Sequence, residues 1–141
     1  LSKNLKKYVN NLNEIIGNGV DIVENQRIKK SIKNSKFVDR IYSSYEIKKS
    51  KSIKNKVGYF AKRFAAKEAF VKSLGIGFRK GINFSDITIA NNKLGKPIKI
   101  INNKIKSLIL KKKIKSFKIF LSLSDEEKHS IAYVILSGSR A

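Results

Sequence analysis

The stretch FAKRFAAKEAFVKSLGIG, residues 60–77, constrains this chain more than any other part of it. At about 3.6 residues per turn, Phe60, Phe64, Val71 and Leu74 form an apolar stripe, and Ala61, Ala65 and Ala69 form an adjoining row of small residues. The spacing predicts a strong helix that another element can approach closely. Glu68 follows Phe64 by four residues and precedes Val71 by three, so its carboxylate projects from the edge of the buried stripe. Arg63 and Lys67 share a neighbouring row. The helix ends at Gly75 and Gly77, because glycine adopts the left-handed turn that stops a helix, and backbone can approach a ligand there. Two readings of Glu68 stand at this point. It is a carboxylate placed for chemistry, or it is half of an ordinary surface pair with Lys72, worth about 0.3–0.5 kcal/mol.

The rest of the composition bounds what that helix can serve. A chain of 141 residues fits one domain and one core. It has no run of eighteen apolar residues, and its first residues, LSKNLKKYVNNLNE, carry lysines with no apolar segment behind them, so we expect a soluble, unexported, cytoplasmic protein with no membrane partner. The absence of cysteine excludes disulfides and thiolate metal sites, and a single histidine, His129, makes a zinc centre or a Ser-His-Asp triad a poor fit. Hard-cation chemistry by carboxylates remains. The net charge of +22 points towards an anionic partner. Only five of the 32 basic residues are arginines, however, and the chain is also rich in isoleucine and asparagine, which reads as a drift of composition and not a nucleic-acid footprint. Such a surface steers an acidic protein or a phosphorylated cofactor, in a salt-dependent way.

In chain order, residues 1–13 read as a polar N-terminal extension, frayed or forming an extra edge, and residues 14–141 as a single domain with no dividing linker. Residues 14–23, EIIGNGVDIV, predict a short strand in which Gly17 and Gly19 mark a bulge or a close backbone approach. A helix then begins near Val23 or Glu24, which puts Asp21 at the strand-to-helix junction, either as a ligand-binding carboxylate or as a simple helix cap. Residues 35–52 predict two short helices broken near Ser43 and Ser44, with Ser44 capping the second and Glu46 in its first turn. Asn55 caps the long helix. Ile82, Phe84, Ile87 and Ile89 predict a strand with an irregularity at Ser85 and Asp86. That strand turns through Asn91, Asn92, Gly95, Lys96 and Pro97 into a partner at 98–101. A lysine-rich helix over 102–113 buries Ile105, Leu108 and Ile109. A strand over 117–124 turns at 125–129 and returns over 131–136. The class is α+β, an antiparallel sheet packed against a long helix.

GNGVDIVENQRI at 17–28, the 60–77 stretch, LGKP at 94–97 and LSLSDEEKHSIAYVI at 121–135 together resemble the holo-acyl-carrier-protein synthase family, the small type of 4′-phosphopantetheinyl transferase. The resemblance runs from about residue 15 to the end, in the family's order and spacing. It implies a Mg²⁺-dependent enzyme that moves the phosphopantetheine arm of coenzyme A onto a serine of apo-acyl-carrier protein and releases adenosine 3′,5′-bisphosphate. By the same resemblance Asp21 and Glu68 are the metal-binding, catalytic pair. Arg63, Lys67 and Lys72 face the CoA phosphates, and Gly75, Gly77, Lys96 and Pro97 border its nucleotide. Arg27 docks the acidic carrier, or is a solvated helix cation. Either Glu68 or a metal-held water takes the serine proton. Family members are commonly homotrimers with sites between subunits, and many carry histidine where this chain has Asp125. The alternative reading is a small basic nucleic-acid-binding module, supported by the lysines of 104–118 but by no RNA- or DNA-binding motif.

Overall fold

The structure, a computed structural model, describes residues 2–9, 13–75 and 81–140. After a short helix α1 (Lys3–Val9) come β1 (Glu14–Glu24), α2 (Asn25–Ser31), α3 (Ser35–Ile41), α4 (Ser44–Ser50) and the long α5 (Lys56–Leu74). A 3₁₀ turn at Phe84–Asp86 leads into β2 (Ile87–Asn91), β3 (Pro97–Ile101), α6 (Asn103–Lys111), β4 (Ile114–Asp125) and β5 (His129–Arg140). Strands β1, β5 and β4 form a three-stranded antiparallel sheet with β5 in the middle, and β2 and β3 form a separate antiparallel pair. This is the α+β arrangement expected, with helix α5 between the two sheets.

Helix α5 forms where the alanine-rich periodicity places it. Its start is fixed by Asn55, whose Oδ1 accepts the Gly58 amide at 3.0 Å, and its end by Gly75 at φ +88°. It is a central helix and not a surface one: Ala61, Ala65, Ala66 and Ala69 are wholly buried, and Phe60, Phe70 and Val71 are nearly so. Phe64 and Leu74, placed on the same stripe by the sequence, are half-buried and pack against the core.

The small row does what its size allows. A β-carbon on Gly17 would overlap the carbonyl oxygen of Ser73, and one on Gly19 that of Ala69, so β1 and α5 meet backbone to backbone. We expect Gly19→Ala to destabilise the protein by about 1–3 kcal/mol, because neither backbone can retreat. Urea unfolding measures this, and an unchanged midpoint would show that the seam can open freely.

Several boundaries differ from the sequence reading. Strand β1 continues through Glu24, so Asp21 lies within the strand, paired with Ala132, and caps nothing. Helix α2 starts at Asn25, whose Nδ2 donates to the carbonyls of Glu126 and Glu127, both at 3.0 Å. These long-range bonds settle the start of the helix, and local sequence does not contain them. The cap of α4 is Ser43, one residue before the one expected, in a reciprocal capping box with Glu46. The strand predicted from Ile82 begins only at Ile87, since Phe84–Asp86 coils into the 3₁₀ turn. The polar segment at the N-terminus, to which the sequence reading gave no element, carries helix α1 over Lys3–Val9.

The second sheet leans on the first through Lys99, whose Nζ donates to the Ile119 carbonyl at 3.1 Å. Burial pushes this ammonium down from 10.5 to about 8. With the folded value below the unfolded one, the unfolded chain binds more protons between those limits, so stability rises with pH from about 8 to 10.5. Below pH 8 the penalty is fully present. Lys99→Met should therefore raise stability at pH 7 by about 1 kcal/mol, after allowing for solvent that still reaches the amine. The gain should fade above pH 10.5, and a gain that persists there would assign it to packing.

Candidate active site

The glycines that bring β1 onto α5 also place Asp21. Alternation along the strand puts it on the same face as Gly17 and Gly19, one step further along the seam, and half-buried. Lys72, one turn after Glu68 on α5, reaches across and donates to Asp21 Oδ1 and to the Val20 carbonyl, both at 3.0 Å. Beyond any pairing along the helix, Lys72 thus bonds across the seam. Glu68 is half-buried and borders an apolar slot of about 200 Å³ lined by Val71, Ile82 and Phe84. Gly75 closes this row at the end of the helix, with open space where a side chain would stand. Asp21 and Lys72 therefore meet across the β1–α5 seam, with Glu68 one turn before Lys72 on α5 and Gly75 three residues after it at the helix end.

A second group stands elsewhere. Arg63 precedes Glu68 by five residues, which at about 100° per residue turns it about 140° around α5. Its guanidinium donates to the Ile89 carbonyl at 3.1 Å, to the Tyr59 carbonyl at 3.4 Å and to Asn91 Oδ1 at 3.4 Å, and lies 3.6 Å above the Tyr59 ring. Only 5 % of it is exposed, and burial lowers its pKa. Arg63, Lys96 and Pro97 nevertheless line one groove of about 310 Å³, with Lys62, Ser122 and Asp125 on its other walls. The loop that presents Lys96 is folded by Asn92, whose Oδ1 accepts the Leu94 and Lys96 amides at 3.0 and 2.9 Å. Asp125 stands 3.6 Å from Lys62 across this groove.

Lys67 is a correction to the sequence reading. Expected at the phosphates, it is wholly buried, on the far side of α5 from the seam. Its ammonium donates to the carboxylate of Glu46 and to the carbonyls of Ile41, Ile87 and Phe84 at 2.8, 2.7 and 3.0 Å. No donor remains for a ligand. Burial lowers its pKa, and the adjacent Glu46 carboxylate partly restores it. The partner Glu46 was missed as such, although Ser43-x-x-Glu46 is a legible capping signature. Arg27 is exposed on α2, and its carbonyl accepts from Ser31 Oγ. His129 is exposed at the start of β5, its Nδ1 2.9 Å from Glu126 Oε1. Gly77 lies outside the described residues. Among the described residues no group of three or more His, Cys, Asp or Glu side chains could hold a metal, so any ion would rest on the seam carboxylates and its other ligands.

Comparison with known proteins agrees with this architecture. The family model described as the 4′-phosphopantetheinyl transferase superfamily matches residues 17–134. A holo-[acyl-carrier-protein] synthase of Pelagibacter ubique is 57 % identical over 124 residues, covering 87 % of this chain and 97 % of its own. Among solved structures, a holo-[acyl-carrier-protein] synthase from Neisseria meningitidis is 36 % identical with a TM-score of 0.79, covering 87 % of this chain and 98 % of that one. A holo-(acyl-carrier-protein) synthase from Bacillus anthracis, in complex with CoA (3′,5′-ADP), is 35 % identical with a TM-score of 0.73, covering 89 % and 98 %. The chain belongs to the 4′-phosphopantetheinyl transferase superfamily. The nucleic-acid-binding alternative finds no support among these relatives.

Proposed function

We infer that this chain transfers the 4′-phosphopantetheine arm of coenzyme A to a serine of apo-acyl-carrier protein. The observation that carries the reading is the bond from Lys72 to Asp21, which ties the strand carboxylate to the helix row bearing Glu68. In the reaction the serine oxygen forms a bond to the pantetheine-side phosphorus of the CoA diphosphate. The bond from that phosphorus to the bridging oxygen breaks, and adenosine 3′,5′-bisphosphate leaves with the electron pair.

Asp21 and Glu68 form a hard-oxygen donor set of the size Mg²⁺ uses when substrate phosphates and water complete its shell. When bound there, the ion neutralises charge on the diphosphate and orients both reactants. Glu68 accepts the serine proton, directly or through one water, while Lys72 shields the charge that builds on the leaving oxygens. Arg63 and Lys96 bind the nucleotide end of CoA in their groove, Pro97 and Gly75 border it, and Gly77 belongs to the same assignment. Arg27, with the basic surface around it, receives the acidic carrier.

The seam and the groove face different ways on one chain, and a homotrimer with sites between subunits joins them. In support, the outer face of the three-stranded sheet is apolar: Val20, Ile22, Phe120, Ile131 and Tyr133 are 39–63 % exposed on neighbouring strands. A cytoplasmic enzyme serving fatty-acid synthesis fits this chemistry, and among the described residues no helix is long and apolar enough to cross a membrane. Residues 14–141 act as the catalytic domain, with 1–13 as an appendage.

Incubation with apo-acyl-carrier protein, CoA and Mg²⁺ tests the activity by mass spectrometry of the carrier. A mass gain of one phosphopantetheine, abolished by chelator, is expected. An unchanged carrier that a known synthase can load would refute the reading.

A further inference from the structure

We propose that the buried Glu46–Lys67 pair is the positioning device of the site, setting the rotation of α5 so that Glu68 is held at the seam. This rests on the function proposed above. Both side chains are wholly buried, and their bonds converge from separate segments. Lys67 Nζ reaches the last residue of α3 at the Ile41 carbonyl, the 3₁₀ turn at Phe84, the start of β2 at Ile87, and Glu46 of α4. Glu46 Oε1 also accepts the Ser43 amide at 2.9 Å, and its Oε2 accepts the Ile89 amide at 3.0 Å. The Tyr59 hydroxyl donates to the Glu46 carbonyl at 3.0 Å, which returns the network to α5 one turn before Arg63.

The two sides of α5 differ in what they can fix. Against β1 the helix presents Ala69 and Ser73 backbone to Gly17 and Gly19, and at the exposed edge of that contact Lys72 reaches Asp21 and the Val20 carbonyl. Against β2 it is pegged twice by directional bonds, from Arg63 to the Ile89 carbonyl and from Lys67 to the Ile87 carbonyl. Glu68 is the residue next to Lys67, so its azimuth follows from the peg. Replacing a buried ion pair with apolar residues of similar size is often neutral or stabilising. The pair is therefore a poor device for stability alone, and what an apolar pair lacks is its directionality.

The test uses the full chain, with Glu46→Gln as the mild variant and the double variant Glu46→Leu/Lys67→Met as the apolar replacement. Folding is checked by circular dichroism, and kcat and KM for CoA are measured with apo-carrier protein. The expected result is a roughly 100-fold lower kcat in the folded double variant, a smaller loss in Glu46→Gln, and an unchanged KM for CoA. A wild-type kcat in the double variant would overturn the proposal. So would a defect confined to KM, which would assign the network to the Arg63 groove, or loss of folding in both variants, which would assign it to stability. Glu68→Gln is run beside them. If it keeps full kcat, the proposed function of Glu68 fails whatever the pair does. If it is inactive while the pair variants turn over normally, only the positioning role falls.

Discussion

Glu68→Gln should lower kcat by roughly 10³-fold while leaving the fold and the oligomeric state unchanged. The substitution preserves volume and one oxygen but removes the charge that makes the side chain both a hard-cation ligand and a proton acceptor. Asp21→Asn should act in the same direction through the metal alone, and the double variant should be little worse than the worse single one, because the two residues serve one centre. Half-burial of both side chains means that little core is disturbed. Steady-state rates over a Mg²⁺ series check this. Full activity in both single variants would place the chemistry elsewhere on the chain.

Lys67→Ala should unfold the protein more readily than any surface substitution, with a loss of about 3–5 kcal/mol. Truncation leaves the wholly buried Glu46 carboxylate without its cation and strips the Ile41, Phe84 and Ile87 carbonyls of their donor. For a domain whose total stability is on the order of 5–15 kcal/mol, that brings it near its limit. Urea unfolding at neutral pH measures the effect. A loss below about 1 kcal/mol would mean that water enters and solvates the stranded carboxylate. The double replacement should cost less, since there neither charge is left alone, although the three carbonyls and the Ser43 and Ile89 amides still lose their partners.

Periodicity carried most of what could be read without coordinates. The Ala61, Ala65 and Ala69 row, the two glycines of β1 and the alternation in β4 each follow from local rules, and each is found where those rules put it. Element ends followed less well. The end of β1 depends on Asn25 bonding to Glu126 and Glu127, contacts about a hundred residues apart that no local window contains. Charged residues on α5 were the least legible. Arg63, Lys67 and Lys72 look alike as cations on one helix. They differ in whether β2, the core or β1 packs against them.

The sequence alone determined the α+β class, the long helix and the residue types that its chemistry requires, because these depend on spacing along the chain, and its motifs carried the resemblance to the family. Only the tertiary structure decided that Lys67 is an internal anchor, that Asp21 sits within a strand, and that Arg63 is packed onto β2. The reason is physical: burial and pairing turn a cation from a phosphate ligand into a structural peg, and both depend on which distant segments fold against it.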